Sequence, residues 1–141
     1  MSRLFVNQEN FNDDIQNWDV SNVTNMESMF NDVLAFNQPL NNWDVSNVID
    51  MKGMFENAHA FNQPLNSWDV SNVWNVRHIF RGACAFNQPL NNWNVSNIRD
   101  MAYMFYDAQA FNQSLEEWDM SNLTDISSMF DNSARENNQN E

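Results

Sequence analysis

The sequence predicts an α/β repeat solenoid, with short parallel strands on one face and short helices on the other. The string FNQPLNNWDVSN begins at Phe36 and returns with few changes at Phe61 and Phe86, and looser copies begin at Phe11 and Phe111. The spacing is 25 residues each time, without insertion or deletion. A strict period of about 20 to 50 residues is typical of solenoids, in which each unit buries its apolar face against its neighbours.

The strand of each unit is predicted by an alternating segment. In the repeat 36–60, Trp43 and Val45 alternate with Asp44 and Ser46. Such alternation of apolar and polar residues is typical of a short, half-buried strand. We therefore expect the tryptophan and the valine to point into the core, and the aspartate and the serine to point outward.

The helix of each unit is predicted by a change of period after the strand. Val48, Met51, Met54 and Phe55 lie at positions i, i+3, i+6 and i+7, which is one face of a helix. Two positions after the phenylalanine that ends this apolar face, such as Phe55, every repeat carries a residue type that tolerates a left-handed backbone. The end of a helix requires such a residue. These residues are Asp32, Asn57, Gly82, Asp107 and Asn132.

The predicted elements define the organisation of the chain. Successive strands should pair in parallel through right-handed crossovers, in a leucine-rich-repeat-like arrangement. Residues 1–10 match the helical half of a repeat, so we expect them to cap the N-terminal end. Residues 11–135 should form one solenoid domain of five 25-residue repeats, and residues 136–141, which are polar, should form a flexible tail.

Composition excludes several classes of partner. Six Lys and Arg residues stand against 19 Asp and Glu residues, which gives a formal net charge of -13. Phosphate binding needs clustered basic residues, so we expect no nucleic-acid partner. No apolar run is long enough to cross a bilayer, so we expect no membrane insertion. Cys84 is the single cysteine, which excludes an internal disulfide.

Most of the constant positions are interpreted as core. Aromatic columns could stack sugars, but constant inward positions of a repeat protein are core residues first. The same holds for the paired methionines of each repeat. The tryptophan column consists of Trp18, Trp43, Trp68, Trp93 and Trp118, and the phenylalanine columns begin at Phe11 and Phe30.

Two constellations leave chemical alternatives open. The acidic column could bind calcium, or its side chains could stabilise turns or remain solvated. His59 and Cys84 share a position in adjacent repeats and could form a nucleophile and base, but they lack an orienting group and an oxyanion site. The acidic column consists of Asp19, Asp44, Asp69, Asn94 and Asp119.

The outer face of the third and fourth repeats is the candidate binding site. The first and fifth repeats carry small and polar residues at these positions, whereas the third and fourth carry aromatic and basic ones. Trp, Tyr and Arg are enriched at binding hot spots. Drift on a solvated face, with Arg–aromatic stacking, is the alternative. The candidate protein-binding residues are Trp74, Arg77, His78, Arg81, Arg99, Tyr103 and Tyr106.

The repeat resembles a known family. The string FNQPLNNWDVSNV, followed by Met-x-x-Met-Phe as at Met26–Phe30, resembles the 25–26-residue bacterial surface protein repeat, DUF285. That repeat is also called mycoplasma lipoprotein-associated and is related to BspA-like leucine-rich repeats. The resemblance implies a leucine-rich-repeat-like solenoid without known catalytic activity, found on bacterial surface proteins, in protists and algae, and in large DNA viruses.

From these observations we expect a non-catalytic repeat protein that acts as a protein–protein interaction or structural module. We expect it to need no cofactor and no metal, and we expect it not to be an enzyme. The alternatives are a surface adhesin that binds host protein or carbohydrate, and a structural component of a large DNA virus particle. Family resemblance suggests the cell surface, yet no signal peptide or lipobox is visible, so cytoplasm and virion stay open. Exposed strand edges would also permit end-to-end self-association.

Overall fold

The chain folds as a stack of irregular coils, so the predicted α/β solenoid is wrong. The computed structural model describes residues 1–135. Among these residues, helical backbone occurs at Ala134 and Arg135 alone, and parallel pairing is limited to isolated bridges. We name the repeats 11–35, 36–60, 61–85, 86–110 and 111–135 coils 1 to 5. The predicted tail, 136–141, lies outside the described residues.

The parallel bridges join one residue of each coil to its equivalent in the next. Asn25 pairs with Asp50, and the series continues through Asn75 and Asp100 to Asp125. The side chain at each of these positions also accepts a hydrogen bond from the backbone N–H two residues later, at 2.8 to 3.0 Å. This is an Asx turn, which bends the chain directly after the bridge and prevents it from growing into a strand.

The predicted helix does not form, because its backbone N–H groups donate alternately to carbonyls of the next coil and to the carbonyl three residues earlier. Ser28 donates its N–H to the carbonyl of Lys52 and Phe30 to that of Met54, both at 2.8 Å and both in the next coil. Between them, Asn31 donates to the carbonyl of Ser28 at 3.2 Å, which closes a tight turn. An α-helix sends each N–H to the carbonyl four residues earlier. The segment is instead a succession of turns tied to the next coil.

A left-handed residue in the middle of each predicted helix explains this outcome. Ser28, Gly53, His78 and Tyr103 have φ values of 54°, 61°, 61° and 57°. A right-handed helix cannot pass through such a residue. In the turn that Met29 closes onto the carbonyl of Met26, Ser28 is the third residue, where a type II turn requires positive φ.

The second left-handed column was predicted from sequence and is confirmed. Its residues have φ between 57° and 68°. Each is the third residue of a turn that begins at the preceding phenylalanine, as in the bond from the Val33 N–H to the carbonyl of Phe30, at 3.1 Å. The column therefore belongs to a turn and not to the end of a helix. Its members are Asp32, Asn57, Gly82, Asp107 and Asn132.

The apolar residues of the predicted helix are nevertheless core residues, as expected. Val48, Met51, Met54 and Phe55 are all 0% exposed. The N–H of Met54 donates to the carbonyl of Met51 at 3.1 Å. A turn closed between residues three apart returns the side chains to one side, so consecutive turns produce nearly the same apolar spacing as a helix.

The predicted strand is also wrong, although its alternation is confirmed. Trp43 and Val45 are buried at 4% and 1% exposure, and Asp44 is exposed. Side chains connect neighbouring coils here, since Trp68 Nε1 donates to the carbonyl of Leu40 at 2.9 Å. Within residues 1–135 no backbone ladder joins these segments, so they do not form a sheet.

Stacked aromatic rings run through the core along the coil axis. The ring of Phe55 lies 5.5 Å from that of Phe30 and 5.7 Å from that of Phe80, with interplanar angles of 6° and 4°. It also stacks at 4.2 Å on Phe61, the first residue of coil 3. The phenylalanine columns are therefore core, as the sequence predicts.

Trp18 departs from its predicted place in the core. It is 42% exposed, whereas Trp43 is 4% exposed. Trp43 Nε1 donates to the carbonyl of Ile15 in the preceding coil at 3.1 Å. Residues 1–10 cover only the later half of coil 1, through bonds such as Phe5 N–H to the carbonyl of Met29, at 3.0 Å. Trp18 therefore lacks the preceding layer that buries its counterparts.

Candidate functional site

Five of the seven predicted contact residues form one side-chain cluster on coils 3 and 4, which we call the Arg–Tyr cluster. The guanidinium of Arg77 lies 5.5 Å from the ring centroid of Tyr103, and that of Arg81 lies 5.5 Å from that of Tyr106. His78 contacts the ring of Tyr103 edge to face, at 5.2 Å. Offsets of 26 and 25 residues place Arg77 and Arg81 of coil 3 beside Tyr103 and Tyr106 of coil 4.

The two tyrosines of the cluster also contact each other. Their ring centroids lie 5.7 Å apart with an interplanar angle of 62°, which is an edge-to-face arrangement. Both side chains are partly buried. Each ring therefore has a guanidinium and an aromatic neighbour that fix its orientation.

Glu56 holds the cluster in place, and the sequence analysis missed it. Its Oε1 lies 3.0 Å from Arg81 Nη1, and its Oε2 lies 3.9 Å from His78 Nδ1. The same Oε2 accepts a hydrogen bond from Asn31 Nδ2 at 3.1 Å. The Glu56 side chain is only 15% exposed, so this ion pair is shielded more than an ordinary surface pair. Its position, 25 residues before Arg81, was the available signal.

Arg77 is fixed by two carboxylates of the following coils. Its Nη1 lies 3.5 Å from Asp100 Oδ2 and 3.5 Å from Asp125 Oδ2. The pKa of Asp125 lies below its ordinary value, chiefly because the side chain and backbone of Ser127 donate hydrogen bonds to it, and Arg77 adds to the effect. These aspartates belong to the bridge column, which the sequence analysis did not single out.

His78 contributes little positive charge to the cluster at neutral pH. Burial lowers its pKa below the ordinary value, and the positive charges of Arg77, Arg81 and Lys52 lower it further. The Glu56 carboxylate opposes this shift and does not cancel it. The cluster therefore presents arginine charge and a neutral imidazole.

Trp74 and Arg99 lie in a neighbouring column. The N–H of Trp74 donates to the carbonyl of Ile49 at 3.0 Å, and that of Arg99 donates to the carbonyl of Trp74 at 2.9 Å. Within residues 1–135, no ring contact or ion pair joins either side chain to the Arg–Tyr cluster.

Ile49 adds an exposed apolar side chain that the sequence analysis missed. It is 47% exposed and Trp74 is 45% exposed, in equivalent positions of adjacent coils. Sequence reasoning placed this isoleucine outside the candidate site because it compared the outer faces of repeats 1, 3, 4 and 5 and left out repeat 2. The column therefore carries two adjacent exposed apolar residues followed by an exposed arginine.

The acidic column makes turns. Asp44 Oδ1 accepts hydrogen bonds from the Ser46 N–H at 3.0 Å and from the Ser46 hydroxyl at 2.6 Å. Hydrogen bonds from Ser46 hold the pKa of Asp44 below its ordinary value, and Asp19, Asp69 and Asp119 are lowered in the same way by their own serines. In the part of the chain that the structure describes, no group of three His, Cys, Asp or Glu side chains is placed to hold a metal ion.

The Cys84 thiol is engaged by its own turn. Its Sγ donates to the carbonyl of Gly82 at 3.3 Å, and the side chain is partly buried. His59, with which the sequence analysis paired it, is exposed. No hydrogen bond between the two is found among the described residues.

Comparison with known proteins identifies the family. A family model described as "Mycoplasma protein of unknown function, DUF285" matches residues 1–84 and 42–141, which together span the chain. No curated protein and no solved structure matches. No helix long and apolar enough to cross a bilayer occurs among residues 1–135. The resemblance to DUF285 is confirmed, and the chain belongs to this family of Mycoplasma proteins of unknown function.

Proposed function

We propose that this protein is a non-catalytic protein-binding module, and that its contact surface consists of the Arg–Tyr cluster together with Ile49, Trp74 and Arg99. The observation that carries the proposal is the pair of exposed apolar side chains, at 47% and 45% exposure, next to ordered arginines and tyrosines. Interface centres combine apolar and aromatic anchors with arginine.

The order within the cluster supports this proposal. Arg81 is held by Glu56 at 3.0 Å, and Arg77 lies between Asp100 and Asp125. Side chains that are fixed before association lose less conformational entropy on binding.

The same contacts favour a protein partner over a carbohydrate. Sugar rings stack on open aromatic faces, and here Arg77 covers Tyr103 while Arg81 covers Tyr106. Trp74 is the remaining aromatic candidate of the site, and it is 45% exposed. One open indole beside an exposed isoleucine fits an apolar anchor of a protein partner better than a sugar-binding platform.

The experiment is affinity capture from the native source with cross-linking, using wild type, Trp74→Ala and Trp18→Ala. Trp18 is the matched control, because it is 42% exposed and lies in coil 1, away from the proposed surface. Circular dichroism in the near ultraviolet verifies that each variant is folded. Arg99→Ala provides a second test at the edge of the surface.

The proposal predicts that a protein captured by wild type and by Trp18→Ala is lost with Trp74→Ala and reduced with Arg99→Ala. Equal capture by all folded variants would contradict it. Absence of any cross-linked protein from a native extract would also contradict it.

A further inference from the structure

We propose that two copies of this chain associate head to tail, with residues 1–10 of one copy stacked on coil 5 of the other. The proposal uses the two end faces of the stack and is independent of the surface on coils 3 and 4. The partner is a second copy of the chain, because the two end faces are complementary when they are aligned in the 25-residue register that the interfaces between coils follow.

Hydrogen-bond donors are exposed on coil 5. In the interface between coils 4 and 5, the N–H groups of Tyr103 and Phe105 donate to the carbonyls of Ser127 and Met129, both at 2.9 Å. The equivalent N–H groups of coil 5 belong to Ser128 and Phe130. Within residues 1–135 these two groups have no acceptor.

Matching acceptors are exposed on residues 1–10. The carbonyls of Glu27 and Met29 accept the N–H groups of Arg3 and Phe5, at 2.8 and 3.0 Å. The equivalent carbonyls one repeat earlier belong to Ser2 and Leu4, and neither has a donor among the described residues. In the 25-residue register, these carbonyls of a second copy meet the N–H groups of Ser128 and Phe130.

The phenylalanine column ends at Phe5 and at Phe130, where the Arg135 guanidinium lies 5.1 Å from the ring centroid. Phe5 stacks on Phe30 at 5.6 Å, and Phe130 stacks on Phe105 at 5.7 Å. Both terminal rings are only partly buried, whereas Phe55 in the middle of the column is 0% exposed. Stacking Phe5 of one copy on Phe130 of the other continues the column with the spacing it already has.

Core positions are exposed on the same two faces. Leu4 is 48% exposed, whereas Met54, two repeats later in its column, is 0% exposed. At the other end Ile126 is 55% exposed and lines an open concavity of about 280 Å³. Joining the two faces removes apolar surface from water at both ends.

Charge complementarity fixes the direction of the contact. Inside the stack, His78 lies 3.9 Å from Glu56, which is 22 positions earlier in the preceding coil. Arg3 is the equivalent of His78, and by the same offset Arg3 of a second copy lies next to Asp131. Arg3 is exposed, and neither Arg3 nor the carboxylate of Asp131 has an ion-pair partner among residues 1–135.

The association is weak and open-ended. Only residues 1–10 cover coil 5, so the contact is smaller than the roughly 1,200–2,000 Å² of stable complexes. A head-to-tail contact leaves a free end of each kind, so further copies can add. We therefore expect the average mass to rise with protein concentration.

Sedimentation velocity of the 141-residue chain over a range of concentrations tests the proposal. The variants are Arg3→Glu, Asp131→Arg and the double variant with both changes. Lys52→Glu is the control, because it makes the same change of charge as Arg3→Glu in coil 2, away from both ends and outside the proposed contact surface. The three substituted side chains are exposed or partly buried, and thermal melting verifies the fold of all four variants.

Wild type and Lys52→Glu should associate as the concentration rises, and each single end variant should require at least about 10-fold higher concentration. The double variant should regain association, since Glu at position 3 then faces Arg at position 131. A wild type that stays monomeric throughout would overturn the proposal. Association that is unchanged by the single end variants would overturn it as well, because a symmetric contact elsewhere would then be responsible.

Discussion

Asn57 occupies the space into which a Cβ at Gly82 would project. The two residues hold the same left-handed position in coils 2 and 3, with φ values of 57° and 68°. The Asn57 side chain donates to Asp32 Oδ1 at 2.8 Å, while its own oxygen lies where a Cβ at Gly82 would be. Side-chain packing along this column, and not φ alone, therefore favours glycine at position 82.

Gly82→Ala should lower the free energy of unfolding by about 2 kcal/mol, because strain at positive φ adds to the collision with Asn57. Gly53→Ala is the matched control. It also has positive φ, 61°, but the nearest atoms that its added Cβ meets are the Glu56 Oε2 at 3.1 Å and the Ser28 Oγ at 3.3 Å. Urea denaturation measures both. Equal losses would mean that the contact with Asn57 contributes nothing.

Phe61→Ala should lower the free energy of unfolding by about 3–5 kcal/mol, because it opens a cavity in a closed aromatic stack. Phe61 is 0% exposed, and its ring lies 4.2 Å from Phe55 and 6.0 Å from Phe86. Phe11→Ala, in the same column but partly buried, should cost clearly less. Chemical denaturation compares them, and a larger loss at Phe11 would contradict the layered core.

Trp68→Phe should cost about 0.5–1.5 kcal/mol of stability, because it removes the indole N–H that lies 2.9 Å from the buried carbonyl of Leu40 and leaves that carbonyl with the Trp43 N–H, at 3.0 Å. Trp18→Phe removes an indole N–H that has no acceptor within residues 1–135, so it should change stability by less than about 0.5 kcal/mol. Thermal and urea unfolding of the two variants measure the difference. Equal effects would show that the indole bond between coils adds no stability.

Ser46→Ala should raise the pKa of Asp44 toward its ordinary value. The Ser46 side chain and backbone N–H lower that pKa by hydrogen bonding to the carboxylate, and the substitution removes the side-chain bond. Carbon-detected NMR titration of the Asp44 carboxyl measures the change. Asp19, whose pKa is lowered by Ser21, is the internal control and should not move. An unchanged pKa of Asp44 would contradict the role of the hydroxyl.

The sign of the linked stability follows from these shifts. A carboxyl whose folded pKa lies below its unfolded pKa stabilises the protein above the unfolded pKa. That contribution is lost as the pH falls through the folded pKa. The folded state of wild type should therefore lose stability below the ordinary range of aspartate, and Ser46→Ala should weaken that pH dependence. Urea midpoints between neutral and acidic pH measure it.

The repeat, its inward residues and one left-handed column could be predicted from the sequence. Phenylalanine recurs at the position of Phe55 in every copy, which indicates a side chain that faces the core. Residue types that tolerate a left-handed backbone recur at the position of Asp32, which indicates where the backbone turns. The elements could not be predicted, because turns closed between residues such as Met51 and Met54 repeat an apolar side chain every three positions, as a helix does. The left-handed residue between them, Gly53 in coil 2, was the overlooked signal.

The candidate surface was predicted only in part for a related reason. Arg77, Arg81 and the tyrosines stood out because they differ in type from the small residues of other repeats. Glu56 and Ile49 lie in coil 2 and became visible only through the 25-residue offset that stacks them beside Arg81 and Trp74. Contacts between equivalent positions of neighbouring coils, and not within a repeat, build this surface.

The central claim is that alternate N–H groups bond to the next coil instead of forming a helix. Scalar couplings across hydrogen bonds, measured by NMR between backbone nitrogen and carbonyl carbon, test it most directly. The structure predicts couplings from Gly53 nitrogen to the Arg77 carbonyl and from Phe55 nitrogen to the Ile79 carbonyl, across bonds of 2.8 and 2.9 Å. A coupling from Gly53 nitrogen to the Ile49 carbonyl, four residues earlier, would instead reveal an α-helix and contradict the stack of irregular coils.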